Sequence, residues 1–290
     1  MAMLGYNPTY KTHPLRDIPM STVDNNVNRP RSGAARKLAL RVLALLLLSY
    51  AGICAWIYFH QHAMLYYPQF TRTDARSTDF SITHDGVVLR GWAIHPGMPN
   101  PILYFGGNGE SIERNVSDFG HWFPDRSVYL LAYRGYGASD GTPSEAAIFA
   151  DALGEFDQVQ AQHPNQPISV IGRSLGSGVA SYLASQRPVA KLVLVTPFDS
   201  ITAVAESMYP WLPVRWLSKD HYASTSYIAH YTNPVLILRA GNDEVIPAAD
   251  TDRLILAFPH APAVVNIPDR GHNDIYEAPQ YGQAMSDFLR

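Results

Sequence analysis

Apolar and polar positions divide the 290-residue chain into two regimes. Residues 1–36 are rich in Pro, Asn, Ser and Thr, include Asn25-Asn26 and Arg29-Pro30-Arg31, and follow neither a helical nor a strand period. This pattern predicts a mobile tail over 1–37. From 42 to 59 the run VLALLLLSYAGICAWIYF carries no charge. Eighteen residues at helical rise reach about 27 Å, close to the ~30 Å of a bilayer's hydrocarbon core. With Leu38 to Leu40 able to extend it, the run predicts a membrane-spanning helix over 38–60. A buried core helix seldom lacks every polar face. A cleaved signal peptide has a shorter charged region than the stretch ahead of this run. A lipoprotein site at Cys54 would place bulky Ile53 where a small residue belongs.

Beyond the span, residues 79–94 alternate around Asp85-Gly86, a dipeptide suited to a two-residue hairpin, which predicts an antiparallel sheet edge. Short apolar runs follow at 102–107, 128–133, 168–172, 192–197, 235–241 and 263–269, separated by helical stretches. Near-continuous apolar strands joined by crossover helices predict a mostly parallel sheet with helices on both faces, within one domain over 63–290. The string Thr142-Pro143-Ser144-Glu145 predicts a helix start with a hydroxyl cap, Pro in the first turn and Glu three residues on, the helix running to about His163. Residues 198–233 form the longest interval between strands. Met208, Tyr209, Trp211, Leu212, Trp216 and Leu217 crowd there, which suggests an inserted cap or lid.

Charge refines this picture. Residues 1–41 hold seven Lys/Arg against two Asp/Glu, and residues 42–290 hold fifteen against twenty-three. Arg29, Arg31, Arg36, Lys37 and Arg41 flank the span on its N-terminal side. Lys and Arg collect on cytoplasmic flanks, so a single-pass topology is expected, with the tail cytoplasmic and the domain extracytoplasmic. A net charge of -3 gives no field that would gather nucleic acid. One cysteine permits neither an internal disulfide nor a thiolate metal cluster. No metal or cofactor is expected, and the oligomeric state is not encoded in any local pattern.

The chemistry gathers where strands end. Gly172-Arg173-Ser174-Leu175-Gly176 fits G-x-S-x-G between an apolar strand and a helical run, the context of a nucleophile elbow. The glycines flanking the serine are needed because the sharp turn brings neighbouring chain into contact. A serine hydroxyl is a weak nucleophile and needs a base, itself oriented by a carboxylate. Asp243 follows strand 235–241 in Gly241-Asn242-Asp243-Glu244, and His272 follows strand 263–269 in Gly271-His272-Asn273-Asp274. Asp199, also past a strand end, is the rival acid, and Glu244 is expected to point away. An oxyanion needs two backbone N–H donors. Leu175 supplies one, and Phe105-Gly106-Gly107-Asn108-Gly109 the other, here assigned to Asn108. Met208, Trp211 and Trp216 are the candidate acyl-binding residues. Asn115-Val116-Ser117 fits a glycosylation sequon.

Together, Met64-Leu65-Tyr66-Tyr67-Pro68, Tyr104-Phe105-Gly106-Gly107-Asn108, Tyr133-Arg134-Gly135-Tyr136-Gly137-Ala138-Ser139, Thr142-Pro143-Ser144-Glu145, Gly172 to Gly178, Asp243-Glu244-Val245-Ile246-Pro247 and Gly271-His272-Asn273-Asp274 resemble a known family. It is that of the membrane-tethered α/β-hydrolase-domain proteins of the bud-emergence type, with depalmitoylase-like and serine-aminopeptidase-like relatives. The resemblance covers about residues 40–290. It implies the α/β-hydrolase fold and a serine hydrolase, with esterases, thioesterases and peptidases among the relatives; the expected substrate is an ester or thioester, such as a lipid-like acyl substrate. A peptidase of the same fold and a catalytically silent interaction module are the alternatives. The chain departs from the family's His-Gly-Asn at Gly106-Gly107-Asn108 and from its acidic residue at Ala132.

Overall fold

The computed structural model describes residues 32–290. Contacts divide the chain into two units, Met1–Tyr50 and Ala51–Arg290, and the whole sheet lies in the second. The uncharged run falls in helix α1, Ser32–Leu65. This helix is longer at both ends than apolarity alone predicts, because the flanking Ala, Arg, Lys and Leu residues favour helix as well. Residues 32–37 of the expected tail therefore belong to α1, and residues 1–31 lie outside the described residues. Over its most apolar window the mean hydropathy is 2.1, and the helix is long and apolar enough to cross a membrane.

Asp85 and Gly86 adopt φ of 48° and 76°, the two positive values that a tight hairpin needs. They join β1 (Phe80–His84) to β2 (Val87–Ile94) in the antiparallel register Ile82 to Leu89 and His84 to Val87. The six apolar runs become β3 (Ile102–Phe105), β4 (Val128–Leu131), β5 (Ser169–Arg173), β6 (Leu192–Val195), β7 (Val235–Ala240) and β8 (Ala263–Ile267). The sheet order is β1-β2-β4-β3-β5-β6-β7-β8, with β3 to β8 parallel and β2 antiparallel to β4. Every residue of β3, β4 and β6 is buried. That is why these strands read as continuous apolar runs rather than as alternation.

The remaining helices are α2 (Val116–Trp122), α3 (Glu145–Gln162), α4 (Leu175–Gln186), α5 (Ile201–Met208), α6 (Val214–Leu217), α7 (Ser224–Ile228), α8 (Ala248–Ala257) and α9 (Pro279–Leu289). Helices α3, α4, α7 and α8 pack side by side, and α2 packs on α9. Ser144, not Thr142, caps α3, accepting from the Ala147 N–H at 3.4 Å. Glu145 is thus released from the expected capping box. It accepts instead from the His221 and Tyr222 N–H groups at 2.6 and 2.8 Å.

Strand order decides where chemistry collects. From β3 the chain proceeds to β4 on one side, whereas from β5 it proceeds to β6 on the other. The strand order therefore switches direction between adjacent β3 and β5, the point of such a sheet at which sites collect beyond the C-terminal strand ends.

Candidate active site

Ser174 stands between β5 and α4 with φ of 50° and ψ of -117°, a strained conformation for a residue with a side chain. The surrounding glycines explain how the turn is made. A methyl on Gly172 would lie against the Gly176 carbonyl and 2.6 Å from the Ala180 methyl, and one on Gly176 would lie against the Phe105 carbonyl. Strand, turn, helix and β3 thus converge too closely for any larger residue.

The imidazole of His272, 5% exposed, places Nε2 2.8 Å from Ser174 Oγ. Its Nδ1 lies 3.0 and 2.9 Å from the two Asp243 carboxylate oxygens. Asp243 Oδ1 also accepts from the Val245 and Ile246 N–H groups at 2.9 and 2.7 Å, so the turn after β7 holds the carboxylate toward the imidazole. Asp199 is engaged elsewhere, accepting from Arg253 Nε and the Ser200 N–H, each at 2.6 Å. Glu244, expected to point away, instead accepts from the His272 N–H at 3.1 Å and so ties the β8 loop to the β7 loop. A cavity of about 50 Å³ is lined by Asp243 and Thr196 among others, and the buried Thr196 hydroxyl has no hydrogen-bond partner among the described residues.

The loop after β3 lies against the serine, since a methyl on Gly107 would come within 3.5 Å of Ser174 Cβ. The Gly107 N–H donates to Glu110 Oε2 at 2.5 Å. The N–H groups of Asn108 and Leu175 donate to no group among the described residues. Leu175 opens α4, where an N–H has no intrahelical acceptor. These are the two N–H groups expected from the sequence to serve as oxyanion donors.

Sequence reasoning missed the brace beneath them. Glu110 accepts from the Tyr104 hydroxyl at 2.7 Å, from Asn115 Nδ2 at 2.7 Å and from the Gly107 N–H, and it pairs with Arg173 at 3.1 Å. Arg173 in turn donates to the His272 carbonyl at 3.2 Å. Burial works against the charge on both partners. Even so, Arg173 and the three donors hold the Glu110 carboxyl below its usual range, and Glu110 holds the Arg173 guanidinium above its own. One ion pair therefore links the serine turn, the β3 loop and the histidine loop. Its signal lay in plain view, as Arg173 is the variable residue of G-x-S-x-G and Glu110 follows the glycine-rich loop. Asn115, read as a sequon, spends its amide here.

Met208, Trp211 and Trp216 are not gathered round Ser174 in an enclosed pocket. They lie at the surface, 58%, 57% and 86% exposed. A cleft of about 840 Å³ in the same region is lined by Asp199, Thr202, Arg215 and Arg253 among others, and by none of these three. Among the described residues no group of three or more His, Cys, Asp or Glu side chains is placed to hold a metal ion.

A family model described as the alpha/beta hydrolase fold matches residues 94–221. An uncharacterized protein of Mycobacterium tuberculosis (strain ATCC 25618 / H37Rv) is 35% identical over 268 residues, 87% of this chain and 94% of that protein. Lysophosphatidylserine lipase ABHD12 of Danio rerio is 32% identical over 191 residues, 56% of this chain and 50% of that protein, so the chain matches about half its length. Among solved structures, the esterase Pf2001 of Pyrococcus furiosus superposes with a TM-score of 0.60 at 16% identity, covering 73% of this chain and 90% of that one. At that identity the likeness speaks for fold alone. With the near-full-length mycobacterial relative, the matched family model and a parallel sheet carrying a serine turn after its fifth strand, the chain belongs to the α/β-hydrolase family.

Proposed function

We propose that the chain is a membrane-anchored serine hydrolase that cleaves a carboxylic ester or thioester, with Ser174 as nucleophile, His272 as base and Asp243 as the orienting acid. The observation that carries the reading is the run of contacts from Ser174 Oγ to His272 Nε2 at 2.8 Å and from Nδ1 to Asp243 at 2.9 Å, across three strand ends. In this mechanism Ser174 Oγ attacks the carbonyl carbon as its proton passes to His272 Nε2. The carbonyl oxygen becomes an oxyanion, which the Asn108 and Leu175 N–H groups stabilise. Collapse of the tetrahedral adduct expels the alcohol or thiol, which takes the proton from the imidazolium and leaves an acyl-serine. Water then attacks with His272 again as base, and the acid departs with Ser174 restored.

The substrate we infer is a lipid-like ester. The lipase name of the relative matched over half its length, the apolar α1 and the exposed Met208, Trp211 and Trp216 all support it. On this reading those three side chains meet acyl chains at a lipid surface, and α1 is an uncleaved anchor with the basic tail cytoplasmic and the domain over 63–290 extracytoplasmic. The 198–233 segment, with its three short helices, serves as the cap.

The test is Ser174→Ala in the full chain. Wild type should be labelled by a serine-directed phosphonate and should hydrolyse activated acyl esters, whereas the variant should do neither while melting like wild type. Retained labelling or turnover would refute Ser174 as nucleophile. A wild-type chain inert to both reagents would favour the silent interaction module.

A further inference from the structure

The segment 61–67, which ends α1 and follows it, spends its polar groups on two places far along the chain. Through Oε1, Gln61 accepts from the Lys219 N–H at 2.7 Å, and through Nε2 it donates to the Leu217 carbonyl at 3.0 Å. Tyr66 is 2% exposed, donates to Asp220 Oδ2 at 2.8 Å and lies 2.8 Å from the Tyr222 hydroxyl. These bonds fasten the segment to residues 217–222.

The second place is Asn108. Its Nδ2 donates to the Leu65 carbonyl, and its Oδ1 accepts from the Tyr67 N–H at 3.2 Å and the Tyr136 hydroxyl at 2.7 Å. A methyl on Gly109 would lie 3.5 Å from Tyr67 Cβ, so the segment also rests on the loop's backbone. The side-chain amide of Asn108 is therefore committed on both ends, while its main-chain N–H donates to no group among the described residues. A side chain this short cannot keep three bonds if the peptide that carries it rotates. The three bonds thus fix the direction of the N–H.

The geometry points to segment 61–67 as a positioning strap, one that holds the Asn108 peptide in place as the second oxyanion donor and ties that same point to residues 217–222. The inference rests on the serine-hydrolase reading. Asn108 then has two tasks, its N–H facing the substrate oxygen and its side chain acting as the buckle. Tyr66 and Gln61 touch no reacting atom and act only through it. A chain whose strap lets go keeps the Ser174, His272 and Asp243 contacts and loses stabilisation of the oxyanion.

The experiment compares an ester with its thiono analogue, in which C=S replaces C=O, on the full chain in detergent. Sulfur accepts hydrogen bonds poorly and sits farther from carbon, so the ratio of kcat/KM for the oxo ester to that for the thiono ester reports the two N–H donors. A general loss of folded enzyme lowers both rates equally and leaves the ratio alone. Asn108→Ala keeps the main-chain N–H but frees it. The loss of one donor costs about 10²–10³-fold in kcat, so the ratio should fall about 100-fold with KM nearly unchanged. Tyr66→Phe leaves Asn108 intact and loosens only the strap, and the ratio should fall several-fold. If Asn108→Ala melts below the assay temperature, Tyr136→Phe removes one bond to Oδ1 and reads the same ratio. A wild-type ratio in the Asn108 or Tyr136 variant, or in Tyr66→Phe, would overturn the strap. A wild-type chain that hydrolyses neither ester and takes no phosphonate would overturn the hydrolase reading itself.

Discussion

Replacing Arg173 by Met removes the cation that links three loops while keeping most of the side chain's apolar stem. Arg173 Nη1 and Glu110 Oε2 lie 3.1 Å apart, with the side chains 12% and 10% exposed. At an effective dielectric of about 20 that separation corresponds to about 5 kcal/mol of attraction, and desolvation of both groups offsets part of it. Breaking a buried pair typically costs about 3–5 kcal/mol, because the partner is left charged and alone. Here Glu110 keeps the Tyr104, Gly107 and Asn115 donors, which favours the lower end, about 3 kcal/mol. At about 2–4 °C per kcal/mol for a domain of this size, the melting midpoint at pH 7 should drop by about 6–12 °C. The histidine loop and the β3 loop lose the same tie, and a displacement of about 1 Å in such a site costs roughly 100-fold in kcat. The pH dependence carries a sign. The Glu110 carboxyl titrates below its ordinary 4.5 in the folded chain, so the pair's stabilisation is present above 4.5 and is lost as pH falls through the depressed folded value. The gap between wild type and Arg173→Met should therefore shrink in acid. Urea unfolding of Arg173→Met, Glu110→Gln and the double variant completes a cycle. The double variant should be less destabilised than the sum of the singles by about 1–3 kcal/mol. Additivity within about 0.5 kcal/mol, or a wild-type melting point for Arg173→Met, would refute the brace.

Asp243→Asn should lower kcat by about 10⁴-fold if the carboxylate orients His272, by analogy with serine proteases, while Asp199→Asn should act mainly on stability through Arg253. Steady-state kinetics that put the larger kcat loss on Asp199 would reverse the acid assignment. Burial, with a further push from Asp151, raises the Glu155 carboxyl well above the ordinary 4.5, so the folded state loses stability as pH climbs from there toward the raised value. Glu155→Gln should remove that loss and melt higher than wild type by a margin that widens from pH 5 to pH 8; a constant or reversed margin would contradict the burial argument. Trp216→Ala should depress hydrolysis of long-chain esters in vesicles and spare a soluble acetyl ester. Each acyl CH₂ drawn from water contributes up to ~0.8 kcal/mol. Equal losses on the two substrates would make this aromatic merely structural.

Much of the molecule was legible because the deciding forces act between near neighbours in the chain. Asp85-Gly86 sets a hairpin by backbone conformation alone, and the uncharged run over 42–59 makes a helix whatever surrounds it. Gly172 and Gly176 announce the serine turn, since without them the backbone of β5, α4 and β3 would collide. The chain order of Ser174, Asp243 and His272 past the ends of β5, β7 and β8 was equally readable, and the strand order brings those ends to one edge of the sheet. Other features depended on partners that only folding brings together. Thr142 and Ser144 are both good caps by type, and the approach of residues 221–222 to Glu145 accompanies the choice of the second. Apolarity told that Met208, Trp211 and Trp216 are costly to leave in water but not which way they face, and in the fold they face outward. The Glu110–Arg173 pair and the clasp of Leu65 and Tyr67 on Asn108 join segments with no shared periodicity. A charge or an amide states that it needs a partner. Which partner it finds is settled by the tertiary structure, because the energy of burying such a group depends on what stands within about 3 Å of it.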